Sequence, residues 1–235
     1  MPRKDVWERS PVRVFERAIE GGLGRGRIGV VLSRAGVGKT AFLIGLALDA
    51  LLRGRKVLHI STEESVDALR RFYEQLFAAF AVDLRLEDPA QRLLELERNR
   101  HILVYNRKSF SLEKLEQSVG FLRQAAHFEP SFVIMDGTPR YEQTEEWELQ
   151  GVQRLAREWN AEIWTSSLVH REGQACDSRG IPLEVARHDG YLGVVVLLES
   201  VGDHVRVRIL KDHEQRDVAD LQMELDPATL LLRWQ

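Results

Sequence analysis

The sequence predicts an α/β fold, with a mostly parallel sheet covered by helices on both faces and antiparallel strands at its C-terminal edge. Three observations indicate it. Six short apolar runs, each about the length of a buried strand, recur along the chain. Helix-length segments separate these runs, an alternation typical of a parallel sheet. Period-two alternation of apolar and polar residues appears near the C-terminus, as in antiparallel strands.

The predicted strands of the parallel sheet lie at 28–32, 57–60, 102–105, 132–135, 163–165 and 194–198. Two segments between them have apolar residues at the three-and-four spacing of an amphipathic helix, at 67–81 and at about 145–160. The second helix carries Trp147 and Trp159. We expect both indoles to pack in the core, since a base-stacking role is the less common use of such aromatics.

The C-terminal part of the chain predicts three edge strands. Residues 204–211 alternate with period two, and apolar runs at 221–225 and 230–234 follow, separated by a turn signal at Asp226 and Pro227. Pro89 and the segment 180–182 are interpreted as loops.

Length and composition favour a single cytoplasmic domain. The chain of 235 residues suits one α/β domain, taken as 1–235 with 1–13 as an N-terminal extension. Its formal charge of −3 gives no global attraction to nucleic acid or to an acidic membrane. The lone Cys176 excludes an internal disulfide and a cysteine-based zinc site. We expect no membrane association, because no stretch approaches the roughly 20 apolar residues of a membrane span.

A glycine-rich segment joins the first predicted strand to an apolar helical stretch at 42–52. Its residues are Ser33, Arg34, Ala35, Gly36, Val37, Gly38, Lys39, Thr40 and Ala41. A tight strand-to-helix turn directs backbone N–H groups and the positive end of the helix dipole at a phosphate. Lys39 would add a charge for the β- and γ-phosphates, and Thr40 a hydroxyl for Mg²⁺. The segment predicts a P-loop for a nucleoside triphosphate, although Ser33 replaces the motif's first glycine; an accidental glycine-rich turn is the alternative.

An acidic residue ends the strand predicted at 132–135. Asp136 follows this apolar run directly, as in a Walker B strand whose carboxylate reaches Mg²⁺. Open α/β sheets bind ligands at the carboxyl ends of their strands, so Thr40 and Asp136 are expected to converge there as the metal side of the site. The alternative is that Asp136 caps a helix.

Two acids follow the strand predicted at 57–60. Glu63 is the first candidate and Glu64 the second for the carboxylate that orients and polarises the attacking water. In the alternative interpretation, Ser61 or Thr62 caps the next helix and the acids favour its positive end. Both interpretations can hold together.

These residues resemble the RecA-like ATPases, in the branch that includes KaiC, RadA and the DnaB-type helicases. The resemblance covers about 14–232, and its most discriminating part is the segment 60–65, since KaiC-like members carry two adjacent glutamates there. It implies ATP and Mg²⁺ as ligands, and a homo-oligomeric ring or filament. Aligned on Arg171, Glu172 and Gly173, the family's relay residue falls on Leu168, unless Ser166 or Ser167 replaces it.

The family also keeps a lysine and an arginine, two residues apart, that reach the neighbouring subunit's nucleotide. Lys211 matches, but His213 stands where arginine is expected. Because a cationic finger can be worth about 10³–10⁵ in rate, the resemblance implies slow hydrolysis, unless Arg216 replaces the finger. A solvated strand end is the alternative for Lys211 and His213.

Three functions remain open at this point. The first is a RecA-like ATPase that hydrolyses ATP slowly and couples nucleotide state to homo-oligomer assembly or to a protein partner. The second is a catalytically weak, nucleotide-gated regulatory module. The third is a DNA repair or recombination accessory ATPase stimulated by single-stranded DNA, which the charges of the loops at 137–146 and 170–187 do not favour. The first loop contains three glutamates and one basic residue, Arg140, and the second loop has no net positive charge.

Overall fold

The computed structural model describes residues 11–19, 21–169, 174–215, 218 and 221–234. Its helices are α1 (Pro11–Ala18), α2 (Lys39–Leu52), α3 (Val66–Asp83), α4 (Pro89–Arg98), α5 (Leu112–Ala126), α6 (Glu146–Glu158) and the short α7 (Leu183–Ala186). Its strands are β1 (Ile28–Ser33), β2 (Val57–Ser61), β3 (Arg100–Val104), β4 (Phe132–Asp136), β5 (Glu162–Leu168), β6 (Leu192–Val201), β7 (His204–Asp212), β8 (Met223–Leu225) and β9 (Leu232–Trp234).

The strands form one sheet in the order β3-β2-β4-β5-β1-β6-β7-β8-β9. Neighbours from β3 to β6 pair in parallel, and those from β6 to β9 pair antiparallel. The predicted α/β class, with a mostly parallel sheet and antiparallel C-terminal strands, is therefore confirmed.

Helices cover both faces of the sheet. Alternate residues of one strand point to opposite faces, so Val30 and Val31 of β1 belong to different hydrophobic clusters. The cluster that contains Val31 also includes the buried apolar side chains of α1, α2 and α3. The cluster that contains Val30 includes those of α5 and α6. The helix α2 is buried along most of its length, because it lies between the sheet and these neighbours.

The interpretation of Pro89 as a loop residue is wrong, because Pro89 is the first residue of α4. Proline is tolerated there, since the first N–H of a helix has no intrahelical acceptor. The Asp88 side chain accepts a hydrogen bond from the Gln91 N–H at 3.2 Å and caps this helix. The signal for a helix start, an acid before a proline, was therefore present in the sequence.

The two tryptophans of α6 differ in burial. Trp159 is 7% exposed and packs in the core as predicted, whereas Trp147, in the first turn, is 66% exposed. The expectation for Trp147 is wrong. The N-terminal helix α1 begins at Pro11, so the described part of the predicted extension at 1–13 is helical.

The carboxyl ends of four strands meet along one edge of the sheet. Ser61 of β2 pairs with Asp136 of β4, and Ser33 of β1 pairs with Leu168 of β5. The glycine-rich loop between β1 and α2 begins at this edge. In the part of the chain that is described, no helix is both long and apolar enough to cross a membrane.

Candidate phosphate-binding site

The loop between β1 and α2 exposes unbonded N–H groups beside a cleft. Gly36 has φ +77° and Gly38 has φ +112°, a left-handed backbone that favours glycine. Gly38 is the N-cap of α2 and has no side chain to accept from the helix. The N–H groups of the first turn therefore lack both an intrahelical acceptor and a side-chain cap, which makes this end of α2 suited to an anion.

The flanking loop residues are small or face the protein. Ser33 is buried, and its hydroxyl donates to the Arg34 carbonyl oxygen at 2.7 Å, so serine fits the position where the motif has glycine. Ala35 is exposed, Val37 packs partly against the core, and Ala41 is buried.

Lys39 is a nearly buried cation in this loop. Its exposed fraction is 8%, and it lines the cleft together with Glu63 and Arg107. Among the residues that the structure describes, none forms a hydrogen bond or an ion pair with the Lys39 ammonium group. A buried charge is costly unless it is paired, so this arrangement is suited to an anionic ligand in the cleft.

Thr40 and Asp136 lie in direct contact. The Thr40 hydroxyl donates to Asp136 Oδ2 at 2.7 Å, and the Ser166 hydroxyl donates to Asp136 Oδ1 at 2.6 Å. The Gly137 N–H donates in turn to Ser166 Oγ at 2.9 Å. The Asp136 carboxylate is thus held by residues of α2 and β5, and the alternative that it caps a helix is wrong.

The turn after β2 fixes the two predicted acids. The backbone N–H groups of Glu63 and Glu64 donate to Ser61 Oγ at 3.1 and 3.0 Å. Ser65, not Ser61 or Thr62, caps α3, since its hydroxyl accepts from the Ala68 N–H. Ser61 therefore shapes the turn and leaves the Glu63 side chain at the cleft.

Gly137 is a residue of this site that the sequence interpretation missed. A Cβ atom built on it would lie 2.4 Å from Glu63 Cγ and 2.8 Å from Thr62 Oγ1. Its φ of +79° also favours glycine. The glycine after Asp136 thus allows the Glu63 side chain to approach the end of β4. The dipeptide Asp136-Gly137 was the only local signal of this close contact.

The cleft is about 80 Å³ in volume and has a mixed lining. The lining includes Lys39, Arg107 and Arg140 as cations, Glu63 and Glu142 as acids, and Ser166, Ser167 and Leu168 from β5. Leu168 is 36% exposed and carries no hydrogen-bonding group at the aligned relay position. Of the two predicted substitutes, Ser166 is the one that is hydrogen-bonded to the Asp136 carboxylate.

Lys211 and His213 lie elsewhere in the same chain. Lys211 pairs with Val195 of β6, and Val195 pairs with Val30 in the middle of β1. Because β7 is antiparallel to β6, the residues after Lys211 lie still further from the carboxyl edge of the parallel strands. The Lys211 ammonium donates to the carbonyl oxygen and to Oδ2 of Asp189, at 2.8 and 2.9 Å. Burial alone would raise the pKa of Asp189, but the hydrogen bonds from Lys211 and Arg179 outweigh it and lower this pKa.

His213 is 7% exposed and bonded at both ring nitrogens. Nδ1 lies 2.6 Å from Asp212 Oδ1, and Nε2 lies 3.1 Å from the Leu23 carbonyl oxygen. Neither Lys211 nor His213 is brought to the cleft of its own chain. Arg216 and residues 170–173, which include Arg171, lie outside the described residues.

No group of three or more His, Cys, Asp or Glu side chains is arranged to hold a metal ion within the described ranges. No protein-family model matches the chain. A search of curated proteins found no match either. The interpretation of the site therefore rests on its own geometry.

Proposed function

We propose that this protein binds a nucleoside triphosphate with Mg²⁺ at the β1–α2 loop and hydrolyses ATP slowly, as a RecA-like ATPase. The observation that carries the proposal is the nearly buried Lys39, which has no partner among the described residues and lies beside the uncapped start of α2. A triphosphate supplies the negative charge that Lys39 and the loop N–H groups would bind.

The residues present fit a magnesium ion that is shared with a phosphate ligand. Mg²⁺ usually takes one or two protein oxygens and completes its shell with waters and substrate phosphates. The Thr40 hydroxyl and the Asp136 carboxylate, which are in contact, offer those two oxygens. When bound, Mg²⁺ would neutralise charge on the β- and γ-phosphates. Ser166 and the Gly137 N–H would keep the Asp136 carboxylate oriented.

Glu63 is the proposed general base. Its side chain lines the same cleft as Lys39, after the Ser61 turn and close to Gly137. In the proposed reaction, the oxygen of a water attacks the γ-phosphorus and the water's proton passes to Glu63. The bond between the γ-phosphorus and the β,γ-bridging oxygen breaks, and ADP and phosphate are released. Glu64 lies one residue further along the turn and is the second candidate.

A nucleotide-gated regulatory module is the second candidate function. One observation that favours it is the apolar Leu168 at the relay position. The others are that Lys211 pairs with Asp189 and His213 with Asp212 of the same chain. All three features reduce the stabilisation of a charged transition state within one chain. In either function, nucleotide state would be coupled to homo-oligomer assembly or to a protein partner.

The first test of the proposal is Lys39→Ala. The variant is expected to lose binding of a fluorescent ATP analogue in a titration, because the nearly buried cation beside the start of α2 is removed. Lys56→Ala is the matched control, since Lys56 precedes β2 at the other end of the sheet and donates to the His127 carbonyl oxygen. An unchanged affinity in Lys39→Ala, with the control also unchanged, would exclude a phosphate site at this loop.

A further inference from the structure

Arg107 brings a second cation of the same chain to the cleft. It lies in the turn after β3, where the Tyr105 N–H donates to the Ser61 carbonyl oxygen at 3.0 Å and continues the contact with the end of β2. Arg107 Nη2 is 2.8 Å from Glu63 Oε1. Arg107 and Lys39 line the same cleft. The guanidinium group is thus bound to the very carboxylate that is proposed to orient the attacking water.

The contact between Arg107 and Glu63 is exchangeable. The two side chains are 48% and 30% exposed, and ion pairs in such solvated positions contribute little to stability. Two contacts of Glu63 do not involve Arg107, because its N–H donates to Ser61 Oγ and its side chain lies close to Gly137. Arg107 can therefore leave Glu63 without displacing it from the cleft.

A terminal phosphate would bind the Arg107 guanidinium group more strongly than the Glu63 carboxylate does. Arginine presents a planar fork of N–H donors that matches phosphate oxygens, and a phosphate carries more negative charge than one carboxylate. Lys211 and His213 are held by Asp189 and Asp212, away from this edge. Among the described residues that line the cleft, Arg107 and Arg140 are the cations besides Lys39. Of these two, Arg107 is the one that forms an ion pair with Glu63.

We propose that Arg107 recognises the terminal phosphate of the triphosphate by exchanging Glu63 for it. The exchange places a cation on the phosphate and frees the Glu63 carboxylate to accept a proton from water. Arg107 thus makes the site respond to triphosphate rather than diphosphate. This inference rests on the proposed function, since it assumes that the phosphates lie in the cleft beside Lys39.

The test compares the affinities of ATP and ADP, with Mg²⁺, in the Glu63→Gln background, where turnover does not disturb the titration. Adding Arg107→Ala is expected to weaken ATP binding by about tenfold or more, the size typical of a lost charge-assisted hydrogen bond. ADP affinity should change by less than about twofold, since ADP has no γ-phosphate. Arg107→Lys, which keeps the charge but not the fork, should recover part of the ATP affinity.

The Glu63→Gln background also separates this role from a simpler one. If Arg107 only neutralises Glu63, its removal will have no effect once residue 63 is uncharged, and the proposal is wrong. Equal losses for ATP and ADP would also overturn it. Arg154→Ala is the matched control, because Arg154 is likewise 48% exposed and pairs with Glu116 and Glu158 on the helices α5 and α6. Failure of the proposed function is distinguishable, because Lys39→Ala would then leave both affinities unchanged.

Discussion

At the residue scale, the position of Asp136 shows how few side chains define the site. Its two carboxylate oxygens accept from Thr40 and Ser166, and the following Gly137 permits Glu63 to approach. A buried carboxylate with each oxygen hydrogen-bonded is restricted to one orientation. Substitution of either hydroxyl would therefore change the orientation of the Asp136 carboxylate without changing its charge.

His59 is a buried titratable residue next to this site that no sequence motif indicated. It lies in β2 and is fully buried, with Nδ1 3.2 Å from the Tyr73 hydroxyl. Burial lowers the pKa of His59 to about 4; the nearby Asp136 opposes this effect and Arg100 adds to it. The imidazole is therefore neutral in the folded protein at neutral pH.

The lowered pKa of His59 predicts acid sensitivity. Between pH 6.5 and about 4, the unfolded chain binds a proton at this histidine and the folded chain does not, so stability falls as the pH decreases. The contribution reaches about 3 kcal/mol across this window. Urea unfolding at pH 7.5 and pH 5 should show a smaller loss of stability in His59→Gln than in the parent protein. Identical losses would contradict this assignment, because the remaining groups are common to both proteins.

At the scale of elements, the contact between β1 and β5 depends on a glycine. Gly29 pairs with Trp164, whose buried indole covers the position where a Cβ atom would lie, at 2.7 Å. Phe15 of α1 lies on the same side of the sheet, with its ring centroid 6.3 Å from that of Trp164. The first strand thus carries the glycine-rich β1–α2 loop at its end and, near its start, a surface shaped for one indole.

Gly29→Ala should consequently destabilise the fold. The added methyl group collides with a ring that is packed on several sides, and overpacking of this kind costs about 1–3 kcal/mol. The midpoint of urea unfolding measures the effect. Gly120→Ala is the control, because no atom lies within 4 Å of its added Cβ and it occupies the middle of α5. This control is expected to be more stable than the parent by about 0.4–1 kcal/mol. A neutral Gly29→Ala would mean that Trp164 can move.

For the whole molecule, the sheet separates two groups of candidate residues. The β1–α2 loop, Glu63 and Asp136 lie at the carboxyl edge of the parallel strands, whereas Lys211 lies near the end of β7 and His213 follows that strand, away from this edge. A role for Lys211 at a nucleotide would require a second copy of the chain and the opening of its pair with Asp189.

The proposed assembly predicts a concentration-dependent ATPase. If Lys211 completes a neighbouring site, the rate per subunit with Mg²⁺ should rise with protein concentration, and Glu63→Gln should abolish turnover. Rates measured over at least a hundredfold range of concentration test this. A constant, measurable rate would mean that each chain carries a complete site. Bound ATP without turnover at any concentration would instead favour the nucleotide-gated regulatory module.

The sequence alone indicated the strands along the chain, the helices at 42–52, 67–81 and about 145–160, the strand-to-helix glycine loop and the acids at strand ends. These features depend on patterns within about ten residues, such as apolar runs and the spacing of Gly36, Gly38 and Lys39. The helix α4 shows the limit of such patterns, because Pro89 was interpreted by its usual role in loops, although Asp88 makes it a helix start.

Only the tertiary structure decided which of these side chains act on one another. The hydrogen bond from Thr40 to Asp136 joins residues 96 positions apart, and Arg107 reaches Glu63 across 44 positions. His213 Nε2 likewise lies 3.1 Å from the carbonyl oxygen of Leu23, 190 positions away. Such contacts follow from the order and register of strands in the sheet, which local patterns do not specify. The sequence therefore determined which residues could form a phosphate site, and the packing of distant segments decided their partners.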